Sequence, residues 1–129
     1  LSVLKDGSDI ALLAHGAMLE TALDAADQLA GKGVSAKVVN VATMKPFDEE
    51  GVKELAKTVK GFVTAEDHSR IGGLAAATAF ALRGSAVPMD YVAIEDCFGQ
   101  SAHSSQDLMK FYGLTAENIV AKALKILGK

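Results

Sequence analysis

Phe62-Val-Thr-Ala-Glu-Asp-His-Ser-Arg-Ile-Gly-Gly-Leu74 is the stretch on which the fold of this chain turns. Phe62 to Ala65 is a short apolar run with strand character; Glu66-Asp67-His68-Ser69-Arg70 are all polar or charged; Gly72-Gly73 then open an alanine-rich segment. A strand that ends in a charged loop and re-enters a helix through two glycines is a common place for an α/β protein to meet a ligand or a partner.

On the carboxyl side, Leu74 to Leu82 carries no charge until Arg83. A helix that is apolar all round has to be covered on more than one side. The sheet can cover one side, and a second subunit or a neighbouring domain the other. Phe80 and Leu82 would each contribute about 1.5–3 kcal/mol if fully buried, so exposing this helix in a lone monomer is unfavourable. Gly84-Ser85 ends it. Pro88 to Ile94 is a fourth strand, with proline at the first position, where no ladder donor is needed. A polar segment, Glu95 to Ser104, leads to a short helix that starts at Ser104-Ser-Gln-Asp107 and ends at Gly113. Thr115 caps the last helix, whose Ile119, Val120, Ala123, Leu124 and Leu127 form one stripe.

On the amino side, Ile10 to Ala14 is continuously apolar, as expected of a strand covered on both faces. Ser2 to Leu4 precedes it across Asp6-Gly7, which reads as a hairpin turn placing an edge strand beside Ile10–Ala14. From Ala17, apolar positions recur at helical spacing through Leu29 and Ala30, and Gly31 and Gly33 end that helix. Val34 to Ala42 is the next strand, making a βαβ unit. Asp48 caps a second helix, with Val52, Leu55, Ala56 and Val59 on one face and Gly61 closing it. These elements predict one domain, residues 1–129. It is a three-layer α/β sandwich: a mostly parallel sheet of about five strands, one antiparallel edge strand, and helices on both faces.

The totals narrow the function. A net charge of −3 with lysines and arginines dispersed, and 5% aromatic residues, argue against nucleic acid as a partner. No apolar run approaches the roughly 18 residues needed to span a bilayer, so no membrane partner is expected. The single Cys97 excludes an internal disulfide and points to the cytoplasm. The amino terminus has no signal-peptide pattern and no initiator Met, which points to a fragment or a processed chain. A mean hydropathy of +0.23 is high for so small a domain and favours a homo-oligomer.

Candidate chemistry concentrates in Glu66, Asp67, His68 and Arg70 with Gly72 and Gly73. Carboxylates, an imidazole and a guanidinium in one loop are the raw material of acid–base catalysis, but a solvated or interfacial loop with internal ion pairs has the same composition. The Gly72-Gly73 helix start could hold an anion with help from Arg70, or the glycines could permit close packing against a neighbouring backbone. His15-Gly16 follows the first parallel strand, where doubly wound folds hold ligands, yet no GxGxxG fingerprint or P-loop is present. Cys97 has no second cysteine, His103 lies far from the other histidines, and no GxSxG elbow occurs. No catalytic, cofactor-binding or metal-binding residue is assigned.

Several segments in order resemble the carboxyl-terminal domain of transketolase and its relatives. These are Asp9-Ile-Ala-Leu-Leu-Ala-His-Gly16, the helix end Leu23 to Gly33, Val38-Val-Asn-Val-Ala-Thr-Met-Lys-Pro-Phe-Asp48, and Phe62 to His68 with Gly72-Gly73. Ile94-Glu-Asp-Cys-Phe-Gly-Gln-Ser101 and Phe111-Tyr-Gly-Leu-Thr-Ala-Glu-Asn-Ile119 complete the set. The sequence departs from the family's usual pattern at Ala102, where Gly is usual, at Cys97, where a basic residue is common, and at His15, where a small or hydroxyl residue is common. The resemblance implies that thiamine diphosphate and Mg²⁺ belong to two other domains of the whole enzyme, one with a Gly-Asp-Gly motif and one with the activating glutamate. It implies that this domain binds no cofactor and supplies packing and contacts to those domains or subunits. The holoenzyme would move a two-carbon ketol unit between sugar phosphates. The E1 β subunit of 2-oxoacid dehydrogenases and deoxyxylulose phosphate synthase share the domain, and Tyr112-Gly-Leu-Thr115 favours transketolase over both. Outside the family, a stand-alone anion-binding regulatory module using Arg70 and Gly72-Gly73 is the alternative. Response-regulator and flavodoxin readings lack, respectively, the acidic pair and the hydroxyl-rich loop that should follow the first strand.

Overall fold

A computed structural model describes residues 1–69, 73–94 and 113–129, and of residues 68 and 69 the backbone only. The elements are β1 (Ser2–Lys5), β2 (Ile10–Ala14), α1 (Met18–Ala30), β3 (Ala36–Asn40) and α2 (Glu49–Ala56), followed by β4 (Phe62–Ser69), α3 (Leu74–Ala81), β5 (Met89–Ile94) and α4 (Ala116–Ile126). They form one five-stranded sheet in the order β1-β3-β2-β4-β5. β1 runs antiparallel to β3, and all other neighbours are parallel.

Alternation along the strands builds the layers. Leu12, Val38 and Val63 point to one face, where they meet Met18 and Leu29 of α1 and Ile119 of α4. Leu13, Val39 and Phe62 point to the other, where they meet Val52 of α2 and Leu74 of α3. The expected sandwich is thus present. All five residues of β2 are buried, as the continuous apolar run requires of a central strand.

The hairpin expectation for β1 is corrected: β1 pairs with β3, not β2. Both edges of β2 are taken by parallel partners, so it has no free ladder to offer. The connection passes close under the start of β3 instead. A Cβ on Gly7 would lie 2.4 Å from the carbonyl carbon of Ala36, so only glycine fits the crossing. Ser8 N–H donates to Ser35 Oγ (3.1 Å) and Ser35 N–H to Asp9 Oδ2 (2.8 Å), tying the strand entry down. That Ser35 N–H, with the Lys60 charge behind it, holds the Asp9 carboxyl below its ordinary value.

Caps fall where the sequence places them. Asp48 Oδ1 accepts from Gly51 N–H (2.9 Å) and Thr115 Oγ1 from Asn118 N–H (3.2 Å). α2 ends at Ala56 rather than Gly61, although Val59 beyond it is still buried. The predicted helix between Ser104 and Gly113, together with Cys97 and His103, lies outside the described residues.

Candidate functional site

The chain leaves β2 for β3 on one side and then crosses over to β4 on the other. The crevice outside the carboxyl ends of β2 and β4 is therefore the topological switch point, the usual ligand position in such sheets. His15 follows β2 there, and Glu66, Asp67 and His68 end β4. The charged stretch expected as a loop is strand through Ser69: the pairing with β5 is irregular after Ala65 opposite Val92 and is taken up again at Ser69 opposite Ile94.

Glu66 takes up the strand alternation begun by Phe62 and Thr64, which turns it toward α3. It is only 2% exposed. One carboxylate oxygen, Oε1, accepts from Leu74 N–H and the other, Oε2, from Ala75 N–H, both at 2.8 Å. The first N–H groups of a helix have no partner within it, and the positive end of the helix dipole favours a carboxylate. Gly73, the residue before α3, contributes no side-chain cap. Glu66 does that work from the neighbouring strand, with each of its two oxygens accepting from one backbone donor. An external anion seeking Leu74 and Ala75 would have to displace this buried carboxylate.

Asp67, next in the strand, is half-buried. The strand ladder places His68 at the end of β4; Arg70 and Gly72 lie outside the described residues. His15 is half-buried, and its Nδ1 lies 2.6 Å from the Val41 carbonyl. A carbonyl only accepts, so Nδ1 carries the proton and the ring braces the end of β3 against β2. Among the described residues, no group of three or more His, Cys, Asp or Glu side chains could hold a metal ion.

Sequence reading passed over Lys37. It alternates with Val39 on the α2 and α3 side of the sheet and is 8% exposed. Its Nζ donates to Thr58 Oγ1 (3.2 Å) and lies 3.6 Å from Asp6 Oδ1, at the floor of an open cleft of about 510 Å³. The one charged residue in this strand was the available signal. It sits at the amino end of the sheet, away from the switch point.

On the far side of α3 the surface is apolar. Ala76, Ala79 and Phe80 face outward, and Phe80 is 58% exposed. Leu82, expected with Phe80 to need cover, is already buried by its own chain. A groove of about 310 Å³ runs between α3 and β5, lined by Ala75, Ala76, Ala79, Met89, Asp90 and Tyr91.

These features agree with what the chain is similar to. It is 44% identical over 126 residues to a 6-deoxy-6-sulfo-D-fructose transketolase subunit from Clostridium sp. (strain MSTE9), covering 97% of this chain and 39% of that protein. It is 34% identical over 128 residues to a 1-deoxy-D-xylulose-5-phosphate synthase from Methylacidiphilum infernorum, covering 97% of this chain and 20% of that enzyme. A solved structure titled as a split gene transketolase, inactive β4 tetramer, superposes with a TM-score of 0.90 at 42% identity, over 98% of this chain and 42% of that one. The chain therefore spans well under half the length of these relatives. The model of the transketolase C-terminal domain matches residues 1–119, and the chain belongs to that family.

Proposed function

We propose that this chain is the carboxyl-terminal domain of a transketolase-type enzyme of the split-subunit kind, and that it acts by packing and subunit contact. Thiamine diphosphate and Mg²⁺ are held by other domains or a partner subunit, and the assembled enzyme moves a two-carbon ketol unit between sugar phosphates. The observation that carries this reading is Glu66. The most catalytic-looking stretch in the sequence spends its buried carboxylate on the start of α3. The similarity to a transketolase subunit, of which this chain spans 39%, supports an enzyme whose chemistry lies in the remaining length.

The subunit in this reading also self-associates, as the β4 tetramer formed by the split gene relative suggests. The synthase relative supports a second reading, in which the same domain serves deoxyxylulose phosphate synthesis. Ketol transfer between a ketose phosphate and an aldose phosphate tests the proposal. The chain alone should show none; combined with polypeptides that supply the two cofactor-binding domains, it should give transfer. Turnover by the chain alone would overturn the reading.

A further inference from the structure

We propose that the cleft at the amino end of the sheet is a binding site for a small phosphate-bearing anion, with the Lys37 ammonium as its central donor. The site lies at the opposite end of the sheet from His15 and Glu66, and it stands independently of the ketol-transfer reading.

Three separate pieces of chain meet at this cleft. Asp6 and Ser8 come from the β1–β2 connection, Ser35 and Lys37 from the entry to β3 and its second position, and Thr58 from beyond the end of α2. Its volume of about 510 Å³ falls among those of small-molecule sites, roughly 300–1,000 Å³.

An ammonium taken out of water needs strong acceptors to offset its lost hydration. Lys37 is 8% exposed, yet its Nζ meets only the neutral Thr58 Oγ1 at 3.2 Å and, at 3.6 Å, Oδ1 of Asp6. The Asp6 side chain is 91% exposed, and the same Oδ1 already accepts from Gly7 N–H at 2.9 Å. A carboxylate so fully hydrated neutralises the lysine weakly. One of the ammonium hydrogens has no acceptor among the described residues.

The rest of the lining supplies donors. Ser35 Oγ accepts from Ser8 N–H at 3.1 Å, and its own hydrogen has no acceptor among the described residues; neither has that of the Ser8 hydroxyl. The Thr58 hydroxyl, by contrast, gives its hydrogen to the Leu55 carbonyl at 2.8 Å. Asp9, the other carboxylate close by, is already matched: Ser35 N–H donates to one oxygen at 2.8 Å and Lys60 Nζ lies 3.6 Å from the other. An uncommitted ammonium hydrogen and two serine hydroxyls thus line a cleft with one displaceable acid. Lys37 repels a cation, and a neutral polyol leaves the ammonium without a charged partner. A phosphate group brings close to two negative charges and several strong acceptor oxygens to the same donors.

Titration of the isotopically labelled chain with inorganic phosphate and with glycerol phosphate, at fixed ionic strength with chloride as the balancing anion, tests the proposal through amide chemical shifts. Shifts at Ser8, Ser35 and Lys37 should saturate with a dissociation constant of about 1 mM or below. Saturation by both compounds identifies the oxyanion itself as the ligand, and saturation by the ester alone identifies a phosphorylated small molecule. Lys37→Met, which keeps the length of the stem, should abolish saturation. Asp6→Asn keeps an acceptor for Gly7 N–H and removes the competing charge, so it should tighten binding about threefold, the worth of an exposed ion pair. Ser8→Ala, at an exposed position, should weaken binding and keep the wild-type melting temperature, so the site remains testable if Lys37→Met does not fold.

Linear shifts spread over exposed lysines such as Lys57 and Lys60 mark an adventitious ion only and overturn the proposal. Binding by Lys37→Met or Ser8→Ala equal to wild type also overturns it, as does unchanged or looser binding by Asp6→Asn. None of these results bears on ketol transfer, so the site can fail while the functional reading stands.

Discussion

Glu66 carries the most consequence of any single side chain described. Its carboxylate ties the last half of β4 to the first turn of α3 through two backbone donors at 2.8 Å. Glu66→Ala strands both donors in a buried position and should cost about 2 kcal/mol, read as a lower urea midpoint with an unchanged slope. Glu66→Gln keeps one acceptor oxygen and loses the charge at the helix dipole, so its cost should be about half as large. A variant as stable as wild type would contradict the capping role. The sequence made Glu66 conspicuous, because a charged residue two places beyond Thr64 sits on the inward side of the strand. What it could not convey was the partner. The donors lie 8 and 9 residues further along, and nothing local specifies that they meet the same carboxylate.

The elements themselves were largely legible. Helical spacing marked α1 and α4, the Asp48 and Thr115 caps fell as expected, and the unbroken apolar run of β2 announced a central strand. β1 was misassigned because Asp-Gly between two apolar runs is the ordinary hairpin signature, and only competition for the edges of β2 excludes it. Gly7 is better read as a crossing point. Gly7→Ala would bring a Cβ within 2.4–2.6 Å of the Ala36 and Lys37 backbone, where no side-chain rotation relieves the overlap. It should destabilise the chain by about 1–3 kcal/mol and reduce amide-exchange protection in β1 and β3 before the rest of the sheet. Equal protection in wild type and variant would show that the crossing is looser than described. The uncharged character of α3 was also visible in the sequence, and it led correctly to an exposed apolar face. Burial of Leu82 by its own chain was not foreseeable, since it depends on how far α3 rotates over the sheet.

At the scale of the molecule, two hydrophobic cores lie on either side of one sheet. The switch-point crevice holds a histidine bonded to a carbonyl and a glutamate committed to a helix, while Lys37 is paired at the opposite end of the sheet. Family membership follows from the match over residues 1–119, and the chain spans 42% of a solved split gene transketolase. The central claim is that this domain supports a thiamine diphosphate enzyme without holding the cofactor. Calorimetric titration of the chain with thiamine diphosphate in the presence of Mg²⁺ tests that claim most directly. The account predicts no heat beyond dilution at cofactor concentrations up to about 1 mM; saturable binding with a dissociation constant of about 1 μM would contradict it.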